Sequence, residues 1–272
     1  MKDRKITVLG TGNAMVKNCY NTCFMVENDG EYLLVDAGGG NGILLQLDRA
    51  ELKLKKVHQM YITHAHTDHI LGGVWIVRQI AAWMKNGKYK GDFTVYGNEK
   101  VIRTLRTICD LTLWEKFTCF FDDRIFFRVV EDKEKLTLLG AEFQVFDIGS
   151  GKEKQFGFRM AFADGMRLTC LGDEPFSECS RVYAEGSDYL MSEAFCLYAD
   201  ADRYNPYEKH HSTAKDAAVL AEELGVKNLI LYHTEDDHME KRKKLYTKEA
   251  EEYFGGKIYV PDDLEVICLQ GS

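Results

Sequence analysis

Thr63-His64-Ala65-His66-Thr67-Asp68-His69-Ile70-Leu71-Gly72-Gly73 is the stretch on which the reading of this chain turns. It closes an apolar run over residues 57–63 that reads as a buried strand. It opens a segment over residues 71–85 in which Val74, Val77, Ile80 and Ala81 recur at helical spacing. His64 and His66 are two apart just past a strand, so in extended backbone both imidazoles point the same way and can face one ion. Asp68 and His69 follow at the turn into the helix and point to a second spot. Imidazole nitrogen together with carboxylate oxygen suits zinc, and also manganese or iron. Two such ions about 4 Å apart can share a hydroxide and clamp a phosphoryl or carbonyl oxygen. Three of the chain's eight histidines lie within residues 64–69, beside an aspartate, which sets the pattern apart from a surface loop that happens to carry histidine.

Two single residues become meaningful beside this motif. Asp173 follows a short strand and Gly172, and a carboxylate at a strand end can bridge two ions. His233 ends the apolar strand at residues 229–232. Alone, each would read as an ordinary turn or core residue. His211-Ser212-Thr213 stands before a helix for which Thr213 is the cap and Asp216 completes a capping-box variant. Ala217, Leu220, Ala221 and Leu224 give that helix its apolar stripe, and Gly225 ends it. A histidine beside a helix N-terminus favours an anion there, and His211 can serve as a general acid.

The rest of the chain alternates strands and helices, the pattern of an α/β protein. Strands are expected at residues 6–9, at 23–26 and 32–36 around the turn Asn28-Asp29-Gly30, in several pieces over 125–170, and at 189–191. Helices are expected near 43–47 and 100–116. The run Glu240-Lys241-Arg242-Lys243-Lys244 reads as the solvated face of a last helix. With 272 residues, 45 % of them apolar, three prolines and no Gly/Ser/Pro-rich linker, one domain over 1–272 is expected. A formal charge of −8 argues against a general polyanion binder. It leaves room for a small phosphate ester, because a bound divalent ion dominates the local field. No apolar stretch reaches membrane-spanning length, and the N-terminus runs into a strand without a signal h-region. The eight cysteines therefore read as reduced thiols, Cys19 and Cys23 lack a partner pair for a structural zinc, and a cytoplasmic location is expected.

Taken together, these residues resemble the ribonuclease Z branch of the metallo-β-lactamase superfamily. The resemblance is carried in order by Leu9-Gly10-Thr11-Gly12-Asn13-Ala14, Leu33-Leu34-Val35-Asp36-Ala37-Gly38, the full signature at 63–73, Gly172-Asp173, Met191-Ser192-Glu193-Ala194, His211-Ser212-Thr213-Ala214 and Leu229-Ile230-Leu231-Tyr232-His233. It implies a four-layer αβ/βα sandwich with the site at the sheet edge between the halves. It implies metal ligands His64, His66, Asp68, His69, Asp173 and His233, with Asp173 bridging. The catalytic set is Asp68, His211 and Glu193, with His211 as proton donor to the leaving oxygen and Glu193 orienting it. A homodimer is also implied.

The chain departs from that branch in two ways. The family's further ligand histidine at a strand end, shortly before a Gly-Tyr, has no counterpart in Val145-Phe146-Asp147-Ile148-Gly149-Ser150-Gly151 or in the following Phe156-Gly157-Phe158. Ser150 or Gly151 occupies its place, and Asp147 is a candidate substitute. The first ion would keep His64, His66 and Asp173, so its site is expected to be the weaker of two. The long tRNA-gripping arm is also missing, since only residues 152–172 intervene and these read as core strands. The reading is therefore a hydrolase using two divalent ions, zinc or else manganese or iron. It would cleave a small phosphodiester or related ester by metal-activated water, in the manner of small phosphodiesterases and of arylsulfatase-like or cyclic-phosphate hydrolases, and not tRNA. The alternatives are hydrolysis of a lactone, thioester or β-lactam on the same fold, and a one-metal or metal-free binding protein.

Overall fold

Side-chain alternation decides which way each strand faces. In β1 (Arg4–Gly10), Ile6 and Val8 point to one side and Leu9 to the other. In β2 (Cys23–Asn28) and β3 (Glu31–Val35), Phe24, Val26, Leu33 and Val35 oppose Cys23, Met25 and Leu34. Both faces are apolar, so both must be covered. A computed structural model describes residues 4–271 and shows what covers them. Parallel pairing adds β4 (Val57–Tyr61), β5 (Phe93–Gly97) and β6 (Ile125–Val129) to the antiparallel β1–β2–β3 meander. A second sheet is built from β7 (Lys135–Leu138), β8 (Ala141–Asp147), β9 (Phe156–Ala161), β10 (Arg167–Cys170), β11 (Tyr189–Glu193), β12 (Asn228–Tyr232) and β13 (Lys257–Tyr259), neighbours in sequence order. The last strand, β14 (Val266–Cys268), returns to the first sheet beside β1.

The sheets pack face to face through a core that includes Phe24, Tyr61, Phe143, Phe158 and Met191. Tyr61 meets Phe143 and Phe158 edge-on, and those two rings stack at 4.7 Å. Outside the first sheet lie α1 (Gly42–Arg49), α2 (Thr67–Lys85), α3 (Glu99–Thr112) and the single turn α4 (Glu115–Thr118), with Ile43, Leu47, Ile80 and Leu105 turned inward. On the second sheet's side, after the short α5 (Arg181–Ala184) and α6 (Ala201–Tyr204), α7 (Ala214–Glu223) and α8 (Arg242–Glu251) pack on Leu190, Leu229 and Leu231 through Ala217, Ala221, Tyr246 and Ala250. The result is the αβ/βα sandwich expected from the sequence. Among the described residues no helix is long and apolar enough to cross a membrane.

Two helix boundaries differ from the sequence reading. The helix expected near 100–116 ends at Thr112, because Leu113 and Trp114 are extended, and restarts as α4. The helix expected from residue 71 begins at Thr67. His66 is extended and its carbonyl accepts from the amides of His69 and Ile70 at 3.1 and 3.0 Å. Apolar periodicity begins only at Ile70, so it could not reveal this first turn. The early start matters, since it puts Asp68 and His69 on a helix whose position is fixed. A Cβ on Gly72 would lie 1.8 Å from the Ala37 carbonyl oxygen, so only glycine allows α2 to dock this closely on the loop after β3. The Gly72 amide donates to the Gly38 carbonyl at 2.8 Å, and the Ala37 amide to the His69 carbonyl at 3.0 Å.

The charged run at 240–244 is only partly a solvated face. Arg242 is fully buried. Its guanidinium donates to the hydroxyls of Thr11 and Thr234, to the Pro261 carbonyl and to Asp262, at 2.9–3.1 Å. It thereby ties together the loops after β1, after β12 and before β14, and Thr234 is the neighbour of His233. Arg242→Met removes four hydrogen bonds in a buried setting and is expected to lower stability by about 2–3 kcal/mol. Lys243→Met, on the exposed side of the same turn, is expected to cost no more than about 1 kcal/mol. Urea unfolding of the two variants compares them; equal effects would contradict the assignment.

Candidate metal centre

The side chains singled out in the sequence converge where the ends of the central strands of both sheets meet. His64 and His66 follow β4, Asp68 and His69 sit in the first turn of α2, Asp173 follows β10, Glu193 ends β11, and His233 follows β12. Several of these turns need left-handed backbone. Gly172 has φ +84°, and a Cβ there would also meet the Gln155 side chain at 2.5 Å. Asp36 and His233, neither of them glycine, have φ +55° and +58°.

Among the described residues three clusters of ligand-type atoms result, each with its atoms within 4.8 Å of one another: His64, His66 and Asp173; Asp68, His69 and His233; and Glu193, His211 and His233. In the second cluster, His69 Nε2 lies 3.4 Å from Asp68 Oδ2 and 3.5 Å from Asp173 Oδ2. His233 Nε2 lies 3.6 and 3.5 Å from the same two oxygens. These spacings are too long for good hydrogen bonds, and both Nε2 atoms are buried without any hydrogen-bond partner. Buried polar atoms are normally paired. Two carboxylate oxygens and two imidazole nitrogens that face one another without bonding make a donor set fitted to a divalent cation. Asp36 Oδ2 sits 2.8 Å from His69 Nδ1, so the outer nitrogen donates to a carboxylate while the inner one is turned toward Asp68 and Asp173. Asp36 in turn accepts from the Thr63 amide and hydroxyl.

Electrostatics separates the two clusters. Burial pushes His64 well below the usual imidazole range. His69 and His233 are buried as deeply, but the carboxylates around them win: His69 is held well above the usual range, and His233 is raised to about 9. Burial likewise opposes ionisation of Asp68 and Asp173, yet the imidazoles hold both carboxyls well below the usual range. The carboxylates of the second cluster thus favour positive charge beside them, whereas burial disfavours it on His64.

His211 stands at the rim. Its Nδ1 is 2.6 Å from Glu193 Oε2, while Glu193 Oε1 accepts from the Ser212 amide and hydroxyl. The Phe195 ring stacks on the imidazole at 4.7 Å, restricting its rotation. The capping box anticipated at Thr213 and Asp216 forms and anchors α7 behind it. Over the centre opens a cleft of about 710 Å³ whose lining includes Met15, His66, Lys152, Tyr204, His211 and Asp236. A hollow of about 760 Å³ beside α1, lined by Leu44, Leu47 and Trp83 among others, shares none of these residues.

Neither Asp147 nor Ser150 supplies the missing ligand. Asp147 Oδ1 accepts from the Gly149 amide at 2.9 Å, a turn contact, and Ser150 donates to Glu174 at 2.6 Å. That loop instead places Lys152 Nζ 3.5 Å from His211 Nε2. Gln155, buried just before β9, contacts His64 and Asp173. Sequence reading missed Gln155, Lys152, Phe195 and the role of Asp36. Only Asp36 carried a signal, as an aspartate ending an apolar strand inside a quoted motif. The stretch between the two metal-motif segments contains β9 and β10, so no inserted arm lies there. All eight cysteines are free, and among the described residues no metal-type cluster contains one.

Comparison with known proteins agrees with this fold. A family model described as anti-Pycsar protein Apyc1 matches residues 4–251. Ribonuclease Z of Thermococcus sibiricus is 23 % identical, covering 97 % of this chain and 96 % of its own. Among solved structures, the metallo-β-lactamase fold protein YhfI from Bacillus subtilis superposes with a TM-score of 0.79 at 18 % identity, covering 97 % of this chain and 99 % of its own. A diphosphatase of the PhnP family superposes with a TM-score of 0.74 at 22 % identity, covering 99 % of each chain. The chain belongs to the anti-Pycsar protein Apyc1 family, on the metallo-β-lactamase fold and in the ribonuclease Z-like branch of that superfamily.

Proposed function

We propose that this protein is a metal-dependent phosphodiesterase acting on a small phosphodiester. The observation that carries the proposal is the pair of partnerless Nε2 atoms of His69 and His233 facing Asp68 and Asp173, with the Glu193–His211 pair beside them. Asp68, His69, Asp173 and His233 would hold one ion, and His64, His66 and Asp173 a second, weaker one. A bound divalent ion supplies Lewis acidity toward a phosphoryl oxygen and acidifies a water molecule to act as nucleophile. The protein's own groups do the rest. Glu193 accepts a hydrogen bond from His211 Nδ1–H and fixes the ring, so that Nε2–H faces the cleft and donates its proton to the departing oxygen. The stacked Phe195 ring keeps that nitrogen aimed. Lys152 and Lys209 on the cleft wall attract the anionic substrate.

Size and charge support a small substrate. A cleft of about 710 Å³ suits one small ligand. Glu235, Asp236 and Asp237 on its wall, together with a net charge of −8, repel a polyanion such as tRNA. Only residues 162–166 join β9 to β10, which leaves no arm to grip one. The family name describes its members as acting against Pycsar, and the same role is proposed for this chain.

Protein loaded with manganese or zinc is expected to hydrolyse bis(p-nitrophenyl) phosphate. Cleavage of a lactone or thioester with no phosphodiester turnover would overturn the proposal, as would binding without turnover of any ester. His211→Ala should lower kcat on an alkyl phosphodiester about 10²–10⁴-fold with metal content unchanged. The loss should be smaller with a p-nitrophenolate leaving group, which needs no proton. Asp36→Asn should weaken metal binding about 10–100-fold, read by competition with a chromophoric chelator, because the contact that orients His69 is lost.

A further inference from the structure

The two clusters differ in a way that the missing strand-end histidine does not by itself explain. The second leaves the buried Nε2 atoms of His69 and His233 partnerless, whereas no buried side-chain polar atom of the first lacks a hydrogen-bond partner. The residue responsible is Gln155, whose side chain is buried between His64 and Asp173. Its Oε1 accepts from the Asp173 amide at 3.2 Å, and its Nε2 donates to Asp173 Oδ1. Turning the amide over would set carbonyl oxygen against carboxylate oxygen and N–H against N–H, so Asp173 fixes its orientation. In that orientation Nε2 also lies 2.7 Å from His64 Nδ1. An amide nitrogen only donates, so His64 Nδ1 must accept, and the neutral ring carries its proton on Nε2. That is the nitrogen which faces His66 Nδ1 at 2.9 Å and Asp173 Oδ2 at 3.4 Å, the side on which an ion would sit. The hydrogen bonds run unbroken from Gln155 through His64 to His66.

A competing arrangement is built into the same site. Thr63 Oγ1 donates to Asp36 Oδ2 at 2.9 Å and lies 3.0 Å from His64 Nδ1. Its oxygen can accept a hydrogen bond from a protonated Nδ1, the tautomer in which Nε2 is free to bind metal. Gln155 opposes that tautomer and Thr63 favours it.

We propose that Gln155 holds His64 in the tautomer protonated on Nε2, closing the first cluster, so that the protein works with one tightly held ion at Asp68, His69, Asp173 and His233. The inference rests on the metal-centre reading above and assigns Gln155 as the positioning residue that sets metal stoichiometry. It follows that the second cluster, with Asp173 turned toward it, carries the chemistry, and that His66 faces the cleft free of metal.

The wild-type protein needs no substitution for the first test. Long-range ¹H–¹⁵N spectra of metal-free protein should show His64 protonated on Nε2, and Mn²⁺ or Zn²⁺ titration should show one tight ion and a second bound at least about 100-fold more weakly. Gln155→Met removes the amide while keeping the side chain's length. It should move the His64 proton to Nδ1 and tighten the second ion by about tenfold or more. Two ions of equal affinity in the wild type, or a proton on His64 Nδ1, would overturn the assignment to Gln155 and leave the phosphodiesterase reading standing. No bound ion at all would overturn both. Because tautomer and stoichiometry are read without substrate, neither result depends on finding the substrate.

Discussion

Two buried carboxylates, Asp68 and Asp173, lie against imidazole nitrogens that they do not hydrogen-bond, and much of the surrounding structure exists to keep them there. Removing a carboxylate from water without compensation costs several kcal/mol. The same carboxylates raise the proton affinities of His69 and His233. A divalent ion would compete with protons at those nitrogens, which would link metal uptake to proton release. A centre of this kind cannot relax into ordinary hydrogen bonds unless its backbone moves, so the fold must hold the backbone still.

It does so from both sheets. Gly72 lets α2 approach the Asp36–Gly38 loop until backbone hydrogen bonds join them, and Asp36 then reaches His69 from behind. On the other side, Arg242 grips Thr234, next to His233, from within the core. Positive φ at Asp36 and His233 is a local cost of about 1–3 kcal/mol at each residue, and it persists because the packing around these residues over-determines it. Such strain concentrates at functional positions, and here it turns one side chain onto a metal-type cluster and another onto its supporting histidine.

Much of this was legible in the sequence. The signature at 63–73, the strand-end residues Asp173 and His233 and the capping box at Thr213 each depend on local spacing, and local spacing survives into the structure. The four-layer architecture was legible through the ordered match to a known fold. What escaped the reading depends on contacts distant in sequence. Arg242 looked like one charge in a solvated run, yet its partners lie at residues 11, 234, 261 and 262. Gln155 became informative only when β9 and β10 brought it between His64, which is 91 positions away, and Asp173. The first turn of α2 was missed because its residues are polar ligands and give no apolar period. Asp147, the substitute that the sequence offered for the absent histidine, spends one carboxylate oxygen on a turn.

Anomalous scattering from crystals of the protein loaded with zinc or manganese tests the central claim most directly. The expected result is a strong peak among Asp68 Oδ2, Asp173 Oδ2, His69 Nε2 and His233 Nε2, with little or none between His64 and His66. Fully loaded crystals with no peak at the second cluster, and with His69 and His233 hydrogen-bonded to the neighbouring carboxylates, would contradict it.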